Sequence, residues 1–68
     1  MNLKLIGERI KNLRITNNVL SQEDFSKSIG FDRTYMSRIE SGKQNLTIKT
    51  LIKICDGLNI TLKDFFDF

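Results

Sequence analysis

The 68-residue chain contains no histidine, no proline and a single cysteine, Cys55. One cysteine excludes an internal disulfide, and without histidine the usual Cys/His zinc site cannot be assembled within one chain. The commonest general base is missing, as is any Cys–His or Ser–His pair, so the composition speaks against an enzyme. No apolar run approaches the roughly 20 residues of a membrane-spanning helix. The opening MNLKLIGERIK is too short in its apolar part for a signal peptide. These absences lead us to expect a cytoplasmic protein with no membrane association, no metal and no cofactor.

What is present describes a soluble globular chain, 40% hydrophobic and 28% charged. The length allows one domain, spanning residues 1–68, and no second core. Such a chain buries only about 60% of the surface that its unfolded form exposes, and dimerisation is a common remedy. Eleven Lys and Arg against eight Asp and Glu give a net charge of +3 and a pI near 9.3. That balance is only mildly basic, so a nucleic-acid partner has to be argued from the placement of charge.

Along the chain, apolar residues recur at helical spacing and nowhere alternate over strand-like length. Leu3, Ile6, Ile10 and Leu13 form the stripe of a first helix with Asn2 as N-cap. Gly7 inside it costs about 1 kcal/mol relative to Ala, which a close helix–helix contact would explain. Thr16, Asn17 and Asn18 favour a turn, so this helix should fray after Ile15. Ser21-Gln22-Glu23-Asp24 is a near capping box opening a second helix that ends near Ser28, with Gly30 as its stop. Its stripe is Phe25 and Ile29. Asp32 caps a third helix, bearing Met36 and Ile39, that runs to about Glu40 and closes at Ser41-Gly42. Thr47 caps a fourth with the stripe Leu51, Ile54, Cys55 and Leu58, and Gly57 marks its end. Thr61-Leu62-Lys63-Asp64, another near capping box, opens a short fifth helix through Phe65 and Phe66. The fold class is all-α, a compact bundle of five short helices.

Gln22, Phe25, Ser26, Ile29, Gly30, Met36, Ile39, Glu40, Gly42 and Lys43 resemble the helix-turn-helix pattern of phage-repressor-type, XRE-like DNA-binding domains. Gly7, Arg9, Ile10, Leu13 and Arg14 extend the likeness to the first helix. Within that family, Asp32-Arg33-Thr34-Tyr35 and Asn45-Leu46-Thr47-Ile48 are most similar to the controller proteins of restriction–modification systems. The resemblance implies a lambda-repressor-like fold, and it implies that Arg14 and Glu40 pair, tying helix one to the end of helix three. Two departures stand out. Ser26 occupies a position usually held by Ala, where two helices cross closely, and the stretch between Arg14 and Gln22 is one residue longer than usual.

In this fold class the second helix of the motif enters the major groove and its N-terminal residues meet base edges. With Met36 and Ile39 turned to the core, helical geometry puts Arg33, Thr34, Ser37 and Arg38 on the outer face. Arg can make two parallel hydrogen bonds to guanine, and Thr offers a hydroxyl and a methyl group for thymine. Arg33, Thr34 and Arg38 are therefore the candidate base readers. For Arg33 the alternative is a solvated charge paired with Asp32, and for Arg38 it is a phosphate contact. Gln22, at a helix N-terminus, is a candidate phosphate ligand, together with Tyr35, Ser37, Lys43, Gln44 and Asn45. Lysines 27, 49, 53 and 63 read as solvated faces.

Leu58, Ile60, Leu62, Phe65, Phe66 and Phe68 hold more apolar surface than a final one-turn helix can bury, and Phe65 or Phe66 should fold back on the core. The remainder makes a candidate homodimer patch. The function that follows is sequence-specific binding of operator DNA by a homodimer that regulates transcription and can block or recruit RNA polymerase. Two alternatives are a prophage repressor or antitoxin of the same fold, and an interaction module that has lost DNA binding.

Overall fold

The computed structural model describes residues 2–18 and 21–68. It contains five α-helices: α1 (Leu3–Leu13), α2 (Gln22–Ser28), α3 (Arg33–Glu40), α4 (Ile48–Leu58) and α5 (Leu62–Phe65). Among the described residues there is no strand.

Each helix begins where a side chain can take up orphan N–H groups. The carboxamide oxygen of Asn2 accepts from the amides of Lys4 and Leu5, both at 3.1 Å. Ser21 accepts from Asp24, Thr47 from Thr50 and Thr61 from Asp64, each at 3.1 Å. Asp32 accepts from Thr34 at 2.7 Å and from Tyr35 at 3.3 Å. The ends of α2 and α3 share one geometry. Gly30 and Gly42 take φ of 78° and 79°, and the next amide reaches back to the third-last turn carbonyl: Phe31 to Ser26 at 2.8 Å, Lys43 to Arg38 at 2.9 Å.

The core collects the apolar stripes: Ile6, Ile10, Phe25, Met36, Ile39, Leu51, Ile54, Cys55, Leu58 and Phe65 are all buried. Ser26 is fully buried as well, its hydroxyl donating to the carbonyl of Glu23 at 2.8 Å, so the helix crossing tolerates it. Gly7 meets the close contact that its presence in α1 implies. A Cβ there would lie 2.5 Å from the carbonyl oxygens of both Ile39 and Glu40, so α1 rests directly on the backbone at the end of α3.

Two boundaries differ from the sequence expectation. The first helix does not simply fray after Ile15: α1 stops at Leu13 and a π-helical run covers Arg14–Asn18. A π-turn accommodates one extra residue, which matches the unusual length of this connection; its course through positions 19 and 20 lies outside the described residues. Helix α3 begins at Arg33, as the Asp32 cap implies. Gly57 does not end α4. The helix continues to Leu58 and closes on Asn59, which adopts the left-handed conformation at φ 60°. Asn tolerates that conformation better than most residues, and Gly57 instead lets α4 approach Ile29 and the ring of Phe25.

Candidate nucleic-acid interface

Helix α3 divides its surface by role. Met36 and Ile39 are buried, while Arg33, Thr34, Ser37 and Arg38 are exposed and line one shallow depression. Arg33 opens the helix. The carboxylate of Asp32 is turned to the helix amides, and among the described residues no acidic group lies within ion-pair distance of Arg33. The pairing with Asp32 considered above is thus not formed, and the guanidinium stands free on the outer face.

Tyr35 is half-buried, its ring edge-to-face with Phe31 at 5.1 Å between centroids. That contact holds the ring against Phe31. Lys43 and Asn45 are exposed and Gln44 is half-buried in the segment after α3. Gly42 seats that segment on the start of α1, since a Cβ there would come within 2.7 Å of the Lys4 Cα.

Arg38 is not free in the way Arg33 is. Its Nε donates to the Gln44 side-chain oxygen at 3.2 Å and one Nη donates to the Lys43 carbonyl at 3.0 Å.

Behind this face lies a buried polar cluster. Arg14 and Glu40, each 6% exposed, form a two-pronged pair: Nε to Oε2 at 2.8 Å and Nη2 to Oε1 at 3.1 Å. Gln22, at the start of α2, donates its side-chain N–H to the same Oε1 at 3.1 Å. Three helix ends are therefore joined at one carboxylate, whose two oxygens take three donors. The pairing of Arg14 with Glu40 implied by the resemblance is present. The tie to Gln22 was not foreseen. It engages one of the two side-chain amide hydrogens of Gln22.

Arg9 was matched only as part of the family pattern, and its role is structural. It donates from Nε to the carbonyl of Phe65 and from Nη2 to that of Asp64, both at 2.9 Å, and it lies 5.2 Å from the ring centroid of Phe68. A cation at the last carbonyls of α5 also suits the helix dipole.

The candidate dimer patch needs correction. Leu58 and Phe65 are 1% and 0% exposed inside the protomer's own core, so neither can meet a partner. Ile60 and Leu62 are half-buried against that core. Phe66 and Phe68 remain exposed, at 44% and 62%.

A family model described as a helix-turn-helix domain matches residues 7–67. The chain belongs to the helix-turn-helix family. Over 60 residues it is 48% identical to the control protein C.MunI of a Mycoplasma species, spanning 88% of this chain and 81% of that protein. The restriction–modification controller protein C.AhdI from Aeromonas hydrophila superposes with a TM-score of 0.87 at 31% identity, over 96% of this chain and 93% of its own. The controller C.Esp1396I, solved as a tetramer in complex with its natural 35 base-pair operator, superposes with a TM-score of 0.87 at 37% identity, over 98% and 87% of the two chains. The controller likeness carried by Asp32–Tyr35 and Asn45–Ile48 thus extends to the whole helix-turn-helix domain. Among the described residues no helix is long and apolar enough to cross a membrane.

Proposed function

We propose that this protein is a sequence-specific DNA-binding regulator of transcription, acting as a homodimer in the controller role of a restriction–modification system. The observation that carries this reading is the exposed face of α3, where Arg33 and Thr34 stand on a capped helix whose opposite face is locked into the core. Arg33 and Thr34 read base edges in the major groove. Gln22, Tyr35, Ser37, Lys43, Gln44 and Asn45 hold the flanking phosphates. Binding needs no cofactor and involves no catalysis, and the protein works in the cytoplasm, where the DNA is.

Size supports the dimer. The Cα trace measures 25 × 23 × 19 Å, whereas recognition helices that read two half-sites one turn apart lie about 34 Å from each other. A second copy supplies the second helix, on a pseudo-palindromic operator. Phe66 and Phe68, with the outer edges of Ile60 and Leu62, are the apolar surface available for that contact. A dimer placed beside a promoter can exclude or recruit RNA polymerase according to where its operator sits.

Selection from randomised duplexes tests the proposal. A pseudo-palindromic consensus is the expected result, with affinity falling steeply as salt rises because phosphate contacts release counterions. Arg33→Ala should cost about 1–3 kcal/mol and relax the preference at one base pair of each half-site. Wild-type protein that enriches no sequence, or binding insensitive to salt, would overturn the proposal in favour of an interaction module.

A further inference from the structure

We infer that Arg38 is a positioning residue: it holds the segment after α3 so that Gln44 and Lys43 present their donors to the DNA backbone, and it does not itself read a base. The inference rests on the DNA-binding reading above and refines the role given to one residue on the same face.

Arg38 sits on the third-last position of α3, and its own carbonyl already anchors the segment by accepting from the Lys43 amide at 2.9 Å and from the Ser41 hydroxyl at 3.2 Å. Its side chain then follows the same direction. Nε donates to Gln44 Oε1 and Nη donates to the Lys43 carbonyl. Two consequences follow from donor chemistry. A carboxamide has one oxygen and one NH2, so a guanidinium held at the oxygen fixes which way the amide of Gln44 faces. Its NH2, the only end that can bind a phosphate, is then turned away from Arg38. The Lys43 carbonyl, which would repel a phosphate, is likewise occupied by a cation.

The geometry also separates Arg38 from Arg33. Two of the five guanidinium N–H donors are engaged within the protein, and together they turn the side chain toward the segment after α3. Arg33 has no such engagement among the described residues. An arginine is required for the double contact, because a lysine ammonium cannot span a side-chain oxygen and a backbone carbonyl with planar, fixed donors.

The test uses the full chain in four forms besides wild type: Arg38→Met, Arg38→Lys, Gln44→Ala and the double variant Arg38→Met/Gln44→Ala. Each is measured for affinity and for base preference by randomised-duplex selection, and the free proteins are compared by amide hydrogen exchange over residues 43–46 and by the side-chain NH2 resonances of Gln44. Arg38→Met should weaken binding to every sequence by about threefold to tenfold, the scale of one or two exposed hydrogen bonds, and leave the consensus unchanged. Arg38→Lys should not restore affinity. In the free protein both should speed exchange over 43–46 and average the two Gln44 NH2 environments. The double variant should lose less than the two single losses multiplied, because the two changes remove parts of one arrangement.

A shifted preference at a single base pair in Arg38→Met, with wild-type exchange in the segment, would overturn the inference and make Arg38 a reader. Losses that multiply in the double variant, or full rescue by Arg38→Lys, would overturn it in favour of a direct phosphate contact. Failure of wild-type protein to bind any duplex would overturn the DNA-binding reading itself, and this role with it.

Discussion

Gly7→Ala is the change whose outcome depends most sharply on the packing described above. On propensity alone it should stabilise α1 by about 1 kcal/mol, since alanine is the better helix former. The structure opposes this, because the added methyl carbon would stand 2.5 Å from the carbonyl oxygens of Ile39 and Glu40. Carbon and carbonyl oxygen approach comfortably to about 3.3 Å, so α1 and α3 must separate by roughly 0.8 Å, and neither obstacle is a side chain that can rotate away. Overpacking of this kind costs about 1–3 kcal/mol. Two backbone contacts place it at the upper end, and after the propensity gain a net loss of roughly 2 kcal/mol remains. For a domain of this size that is a fall in Tm of about 8–16 °C, measured by circular dichroism at 222 nm. Gly57→Ala is the control. There the obstacles are the Ile29 side chain and, at 3.3 Å, the ring of Phe25. The nearest obstacle is the Cγ2 methyl of half-buried Ile29, a side chain and not a backbone carbonyl, so the loss should be smaller than for Gly7→Ala. A Gly7→Ala protein that melts above wild type would refute the close approach of α1 to α3.

Other expectations concern the buried pair, the aromatic end and the cysteine. Arg14→Leu alone should cost about 3–5 kcal/mol in urea denaturation, because Glu40 would stay buried without its cation and with Gln22 still donating to it, whereas replacing Arg14 and Glu40 together by leucine should recover most of that loss. Phe65→Ala should unfold or severely destabilise the protomer, by about 3–5 kcal/mol, while Phe66→Ser leaves the fold intact and weakens self-association in sedimentation equilibrium. An unchanged dimer constant in Phe66→Ser would remove this residue from the interface. The Cys55 thiol is pushed above its ordinary range, first by burial and then by the neighbouring Asp56 carboxylate. A raised folded-state pKa means that the folded form holds its proton longer than the unfolded chain. The contribution is complete below the unfolded thiol pKa and is lost as pH rises through the folded one. Stability should therefore fall more steeply at alkaline pH in wild type than in Cys55→Ala, and equal slopes would contradict the assignment.

The features legible in the sequence were those that local chemistry decides. Asn2, Ser21, Asp32, Thr47 and Thr61 cap amides two or three residues ahead, and a capping side chain next to an apolar stripe is visible without a fold. The exposed face of α3 was legible for the same reason, because Met36 and Ile39 orient the helix. What was not legible depends on contacts between distant segments. Arg9 reaches carbonyls 55 and 56 residues away, and Gln22 meets a carboxylate 18 residues on; neither leaves a local mark. Gly57 was misread because glycine so often ends a helix, yet the closing residue here is Asn59, which shares the tolerance for positive φ. The dimer patch was drawn too wide because apolar composition alone cannot tell Phe65, which closes the core, from Phe66, which does not.

Helix α3 has only eight residues, and an isolated helix of that length is not stable in water. Its readiness for the proposed base reading is therefore supplied by what holds it. Asp32 fixes its first turn, Gly42 turns the chain out of its last one, Gly7 admits α1 against its final carbonyls, and Glu40 binds it to Arg14 and Gln22. Three of these four ties meet at the C-terminal end, far from Arg33. The reading end is held by its cap and by Met36, and the anchoring end by everything else. Substitutions at Gly7, Arg14 or Glu40 should therefore reduce DNA affinity without changing which sequence is preferred, because they loosen the presentation of the helix and leave its readers in place.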